Sequence, residues 1–132
     1  ERALGKIKNG QESVLAPEGW SHSTSLNAEN VFAAALQGDR VAVETLEEIG
    51  RLMAYSLQYI ALAYDPEAIV LGGSVLLSSP LLFENIQQML STLGNSSWVF
   101  GKAYTKDLVR LSALGNHAGV LGAAALVAPE PS

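Results

Sequence analysis

The later half of the chain predicts an α/β fold, with short parallel strands covered by packed helices. Three observations point there. Ala68 to Leu71 reads AIVL, a fully apolar run suited to a parallel strand covered on both faces. Leu108 to Leu111 makes a second short strand, and helical periodicity fills the stretches after each. The order strand, helix, strand, helix implies parallel strands joined by crossovers. In open sheets of this kind ligands collect beyond the carboxyl ends of strands. Gly72-Gly73 stands at such an end.

Taken in order, Glu1 to Lys8 forms two helical turns, closed by the Asn9-Gly10 turn signal. Gln11 to Ser25 mixes Pro, Gly and Ser and reads as a long loop. Asn27 is the expected N-cap of a helix over Ala28 to Gln37, with Leu26 and Val31 at staple positions. Gly38 supplies the left-handed residue that ends it, and Asp39 caps the next. That next helix runs from Arg40 to Ala63, with Leu46, Ile49, Met53, Leu57 and Ile60 as its buried stripe. Gly50 interrupts the stripe, which implies a close neighbour. Pro66 stops the helix by restricting Asp65.

After the glycine pair, Ser79 is the expected cap of a helix whose first residue is Pro80, the position that best tolerates proline. Its apolar face is Leu82, Ile86, Met89, Leu90 and Leu93, and Gly94 is its expected end. Asn95 to Lys106 is less regular. The final helix starts near His117, capped by Asn116. Gly115, Gly119, Gly122 and Ala123 give it a side almost free of side chains, against which something must lie close.

Composition excludes several classes. The net charge is −5, from 8 Lys and Arg against 13 Asp and Glu, and no basic run offers a grip on nucleic acid. There is no cysteine, hence neither disulfides nor thiolate metal chemistry. The longest apolar stretch, Gly119 to Ala128, is about half of a bilayer span. A soluble, cytoplasmic protein is expected.

The chemistry-bearing residues are few. Gly72-Gly73 admits two readings: backbone N–H groups approaching a nucleotide at a helix start, or a turn that needs positive φ. Neither a Walker loop nor the G-x-G-x-x-G fingerprint is present. His22 and His117 have no identifiable carboxylate partner. Glu44, Glu47 and Glu48 read as a solvated face, with Glu47 and Arg51 spaced for a surface ion pair. Trp20 and Trp98 read as core or interface residues. No catalytic residue and no metal site are identifiable.

Two stretches carry a family resemblance. DPEAIVLGGSV, Asp65 to Val75, and LGNHAGVLGAAA, Leu114 to Ala125, resemble the ROK family of sugar kinases and sugar-responsive repressors. AENVFAAALQGDRVAVETL, Ala28 to Leu46, resembles that family's helix, Gly-Asp turn and long helix. The resemblance implies the C-terminal part of an actin-like ATPase lobe of the ribonuclease H-like type. Residues 1–25 would be a helix tail and loop, and residues 26–132 helices and a βαβα unit. It implies ATP and Mg²⁺ as the parent's cofactor and ion, a sugar as its substrate, and a homodimer, with DNA a partner only behind an upstream helix-turn-helix. Gly72 and Gly73, with Ser74 and Val75, match the family's adenosine-side segment. Ser74 stands where many members carry a third glycine, and His117 where kinase members often carry aspartate. Gly115, Gly119 and Gly122 match the last helix, packing near the nucleotide cleft. The family's first phosphate loop, catalytic aspartate and zinc-binding motif would lie upstream. The parent would be a sugar kinase, the alternatives being a repressor's sugar-sensing domain or a structural, dimerising segment.

Overall fold

The computed structural model describes residues 2–16 and 27–127. Helix α1 spans Arg2–Lys8, and Gly10, at φ +87°, turns the chain after it. Helix α2 spans Ala28–Leu36. Asn27 accepts a hydrogen bond from Asn30 N, and Asn30 Oδ1 accepts one from Asn27 N, a reciprocal capping box. Leu26, the expected staple residue, lies outside the described residues.

Helix α3 spans Arg40–Tyr64, and Asp39 caps it by accepting from Ala42 N. The same carboxylate accepts from Val14 N at 2.8 Å and Ser13 Oγ at 3.0 Å, so one side chain ties the Gln11–Ala16 strap to the α2–α3 corner. Burial acts to raise the Asp39 pKa, but these donors outweigh it and hold the group below its ordinary range. Asp65, left-handed at φ 45°, ends α3.

Two hydrophobic clusters share α3. Its first half meets α1, the strap and α2 through Val41, Ala42 and Leu46, packed with Ala3, Leu15 and Phe32. Its second half meets the residues between Ile69 and Leu111 through Ala54, Leu57 and Ala61. The buried stripe is thus partly alanine, and Ile60, predicted inside, is exposed. Small residues win that face because α3 runs close to the helix that starts at Pro80. A Cβ on Gly50 would fall 2.8 Å from Asn85 Cβ, as the interrupted stripe predicts.

Strand β1 is Ile69–Leu71 and strand β2 is Val109–Leu111; they pair in parallel, Ile69 with Val109 and Leu71 with Leu111. Between them lie α4 (Ser74–Leu77), α5 (Pro80–Ser96) and α6 (Trp98–Ala103). Ser79 caps α5 as predicted, with Pro80 at its start. Helix α5 does not end at Gly94. It runs two residues further, and Gly94 serves contact instead: an added Cβ would meet the Tyr104 ring at 2.7 Å, and one on Gly101 would meet Gly94 O at 2.6 Å. The stretch predicted as irregular therefore holds α6, capped by Ser97 and anchored by the buried Phe100.

The strand is not covered on both faces. Ile69 and Leu71 pack on the cluster made by α3 and α5, while Val70, pointing the other way, is 59% exposed. After β2 a 3-10 turn, Gly115–His117, leads into α7, Ala118–Val127. The helix begins one residue later than the sequence suggests, and the side chain of Asn116, its expected cap, is outside the description. No residue of α7 is buried.

Candidate functional site

The carboxyl ends of β1 and β2 lie side by side. Ser112 N donates to Leu71 O at 2.8 Å, and Leu114 N donates to Ser112 Oγ at 3.2 Å. A Cβ on Gly72 would lie 3.8 Å from Ser112 Cβ, an ordinary contact. Gly73 has φ 103° and ψ 150°, a region open in practice only to glycine. Among the described residues nothing lies within 4 Å of where its Cβ would be. The strand tip is therefore both a glycine-requiring turn and an unplugged one.

Gly73 is also the N-cap residue of α4, and it has no side chain to satisfy that helix's first N–H groups. With four residues α4 is a single turn, so its dipole is small beside that of a full helix. Ser74 and Val75 open this turn, exposed. They line a cavity of about 270 Å³ together with Ser78 of α4 and Asn27, Glu29 and Phe32 at the start of α2. A second, more apolar cavity of about 470 Å³ adjoins it, sharing Asn27, Ala28, Phe32 and Val75. Together they make a trough beginning beside the glycine pair.

Nothing in the sequence marks the start of α2 as a wall of this trough. The pairing of α2 with α4 is tertiary, made because α2 packs on the first half of α3 while α4 follows the strand that packs on its second half. Asn27 could be read as a cap but not as a lining residue.

The other predicted residues fall elsewhere. Gly115, at φ +56°, shapes the turn before α7, and α4 touches that 3-10 turn. Among the described residues nothing approaches within 4 Å of a Cβ built on Gly115, Gly119 or Gly122, so this chain itself does not fill their open side. His117 is exposed, and His22 and Trp20 lie outside the described residues. Trp98 is not core: it is 77% exposed, with Lys102 Nζ 4.1 Å from its ring centroid. Among the described residues no three His, Cys, Asp or Glu side chains converge on a metal-sized space. Among the described residues no helix is long and apolar enough to cross a membrane.

Glu44 and Glu48 are more than a solvated face. Lys6 Nζ reaches Glu44 at 3.0 Å and Glu48 at 2.9 Å, and Arg2 reaches Glu48 at 3.3 Å. Glu44 also pairs with Arg40, whereas the Glu47–Arg51 pair is not formed. The signal was present: Arg2 and Lys6 share the four-residue spacing of Glu44 and Glu48. Lys6, Glu44 and Glu48 also line a cavity of about 480 Å³ between α1, α3 and α5, which shares no residue with the strand ends. Their charges are engaged in holding α1 to α3.

Known proteins resemble this chain in sequence and in fold. The chain is 32% identical over 121 residues to a glucokinase of Halalkalibacterium halodurans, covering 92% of the chain and 35% of that enzyme. It is 24% identical over 127 residues to the DNA-binding transcriptional dual regulator NagC of Escherichia coli, covering 96% of the chain and 28% of that protein. The chain thus spans about a third of the length of the curated relatives it matches. A crystal structure of a candidate sugar kinase from Cytophaga hutchinsonii superposes with a TM-score of 0.71 at 23% identity, over 95% of the chain and 39% of the larger molecule. The structure of a ROK family transcriptional regulator homologous to E. coli MLC superposes with a TM-score of 0.61 over 83% of the chain. These likenesses establish the α/β fold of that class. The ROK family pattern matches residues 3–130, and the chain belongs to the ROK family.

Proposed function

We propose that these residues form the nucleotide-side portion of a longer, ATP-dependent sugar kinase. The observation that carries this reading is the open Gly72-Gly73 tip at the ends of two parallel strands, beside the trough between α2 and α4. A nucleoside fits the trough, with its base against Val75 and Phe32. The phosphates then extend toward Gly72 and Gly73, where backbone N–H groups without side chains can approach them. The relatives named glucokinase make glucose the first sugar to try.

Phosphoryl transfer calls for positioning, charge neutralisation and a base for the attacking hydroxyl. The residues here supply positioning. Among the described residues there is no cluster of metal ligands, and Mg²⁺ would arrive on the phosphates. The base and the family's zinc motif would lie elsewhere in the polypeptide.

Uncovered apolar surface supports a longer protein. Helix α7 is apolar all round and buries nothing, and Val70 faces outward. Helices of that composition are normally enclosed. In this reading the open side of Gly115, Gly119 and Gly122 takes close cover near the cleft from the remainder of the polypeptide. The protein would act in the cytoplasm as a homodimer.

A repressor is the second reading, favoured by the likeness to NagC, whose lobe would sense sugar behind a DNA-binding segment. The full-length polypeptide, incubated with ATP, Mg²⁺ and a panel of hexoses, is expected to release ADP only with an accepted sugar. Absence of turnover with every hexose, alongside specific DNA binding, would replace the kinase reading with the repressor.

A further inference from the structure

The trough has a chemical polarity that the strand tip alone does not show. Its apolar part is lined by Leu46, Ile49, Val31 and Leu82, with Phe32 and Val75 at the junction. The part beside α4 is lined by Ser74, Ser78, Asn27 and Glu29. Among the described residues Glu29 is the only charged one lining that part, while Arg2 lines the apolar part. Glu29 stands in the first turn of α2, where a carboxylate also favours the helix N-terminus.

A carboxylate here constrains how a nucleotide can lie. A triphosphate beside Glu29 would set like charges together. A ribose beside Glu29 meets the opposite situation. Its vicinal hydroxyls are two adjacent donors, and an ionised carboxylate presents two acceptor oxygens. The same pairing of an acidic side chain with ribose hydroxyls recurs in dinucleotide-binding folds.

Resting on the nucleotide reading above, we propose that Glu29 selects the sugar of the bound nucleotide: its carboxylate accepts hydrogen bonds from the ribose 2′ and 3′ hydroxyls, so the site prefers ribonucleotides to 2′-deoxyribonucleotides. Glu29 thereby also fixes direction, with ribose at α2 and phosphates at the glycine pair. It is a specificity-determining residue with no part in the transfer itself.

The test compares equilibrium binding of ATP and 2′-deoxy-ATP to the full-length protein and to Glu29→Gln and Glu29→Ala. Glu29→Gln keeps the shape, and a thermal unfolding scan of each variant reports folding. The wild type is expected to prefer ATP by about tenfold, the scale of one charge-assisted hydrogen bond lost. Both variants are expected to weaken ATP binding more than 2′-deoxy-ATP binding, which loses only the bond to its 3′ hydroxyl, collapsing the preference to about twofold or less. An unchanged preference in folded variants, or an equal loss for both nucleotides, would overturn the role of Glu29 and leave the nucleotide site standing. If the wild type binds neither nucleotide, the site reading itself fails and the Glu29 proposal falls with it.

Discussion

Gly73 holds a conformation that a side chain makes costly, and Gly72 beside it does not. At φ 103° and ψ 150° Gly73 sits where any other residue is strained by about 1–3 kcal/mol. Replacing Gly73 with Ala is therefore expected to lower stability by that amount, read by denaturant unfolding of the full-length protein. Gly72→Ala, whose new methyl would rest 3.8 Å from Ser112 Cβ, should stay within about 0.5 kcal/mol of wild type. Equal losses would mean that the backbone at Gly73 is not what limits the turn. The sequence made a turn residue and a ligand-facing residue alternatives for this pair. At Gly73 the structure shows positive φ and, among the described residues, empty space, which is compatible with either reading. Gly50 was legible for a simpler reason, since a glycine inside an apolar stripe has few causes besides a close neighbour. Here that neighbour is Asn85 of α5, 2.8 Å from the position a Cβ would take. Gly94 misled because glycine ends many helices, yet the Tyr104 ring and the Gly101 backbone need the same absence of a side chain.

At the scale of elements, α3 is the spine and α1 is its clamped attachment. Glu44 and Glu48 sit below their ordinary pKa of 4.5, first because Lys6 donates to each. Lys6 sits above its ordinary 10.5, first through its hydrogen bond to Glu48. Depressed carboxylates give stability that is complete above their ordinary value and lost as pH falls through the lowered ones. A raised lysine gives stability that is complete below 10.5 and lost as pH rises through its new value. The clamp therefore holds between the two limits. Lys6→Met is expected to speed hydrogen exchange of the α1 amides about two- to fivefold at pH 7, because exposed ion pairs contribute modestly. The difference from wild type should vanish well below pH 4.5, where the carboxylates take up protons. A difference that persists in acid would show that apolar contacts such as Ala3, and not these charges, hold the helix. Capping signals placed most boundaries, since Asn27, Asp39 and Ser79 each accept a backbone N–H where the sequence put them. The one-turn α4 and the six-residue α6 were not legible, because segments that short carry no periodicity and form only where Leu76 and Phe100 reach the core.

The molecule as a whole divides its hydrophobic residues between two clusters along α3 and leaves other apolar surface bare. One face of the sheet, with Val70 outward, and the whole of α7 have no cover among the described residues. Parallel pairing of the strands followed from element order alone, and the crossover elements between them bear it out. Burial of β1 on both faces did not follow, because α3 and α5 lie together against the same face. The trough escaped sequence reading for a related reason: its walls come from segments more than forty residues apart in the chain, joined only through α3. The proposed nucleotide at the strand tip would give these features one meaning. The most direct test is calorimetric titration of the full-length protein with ATP, for wild type and Gly72→Leu. Gly72 is exposed and has ordinary backbone geometry, so the variant should fold with an unchanged unfolding midpoint. The account predicts that the leucine side chain, standing where phosphate meets backbone, weakens ATP binding by at least about tenfold. Wild-type affinity in a fully folded Gly72→Leu protein would contradict it.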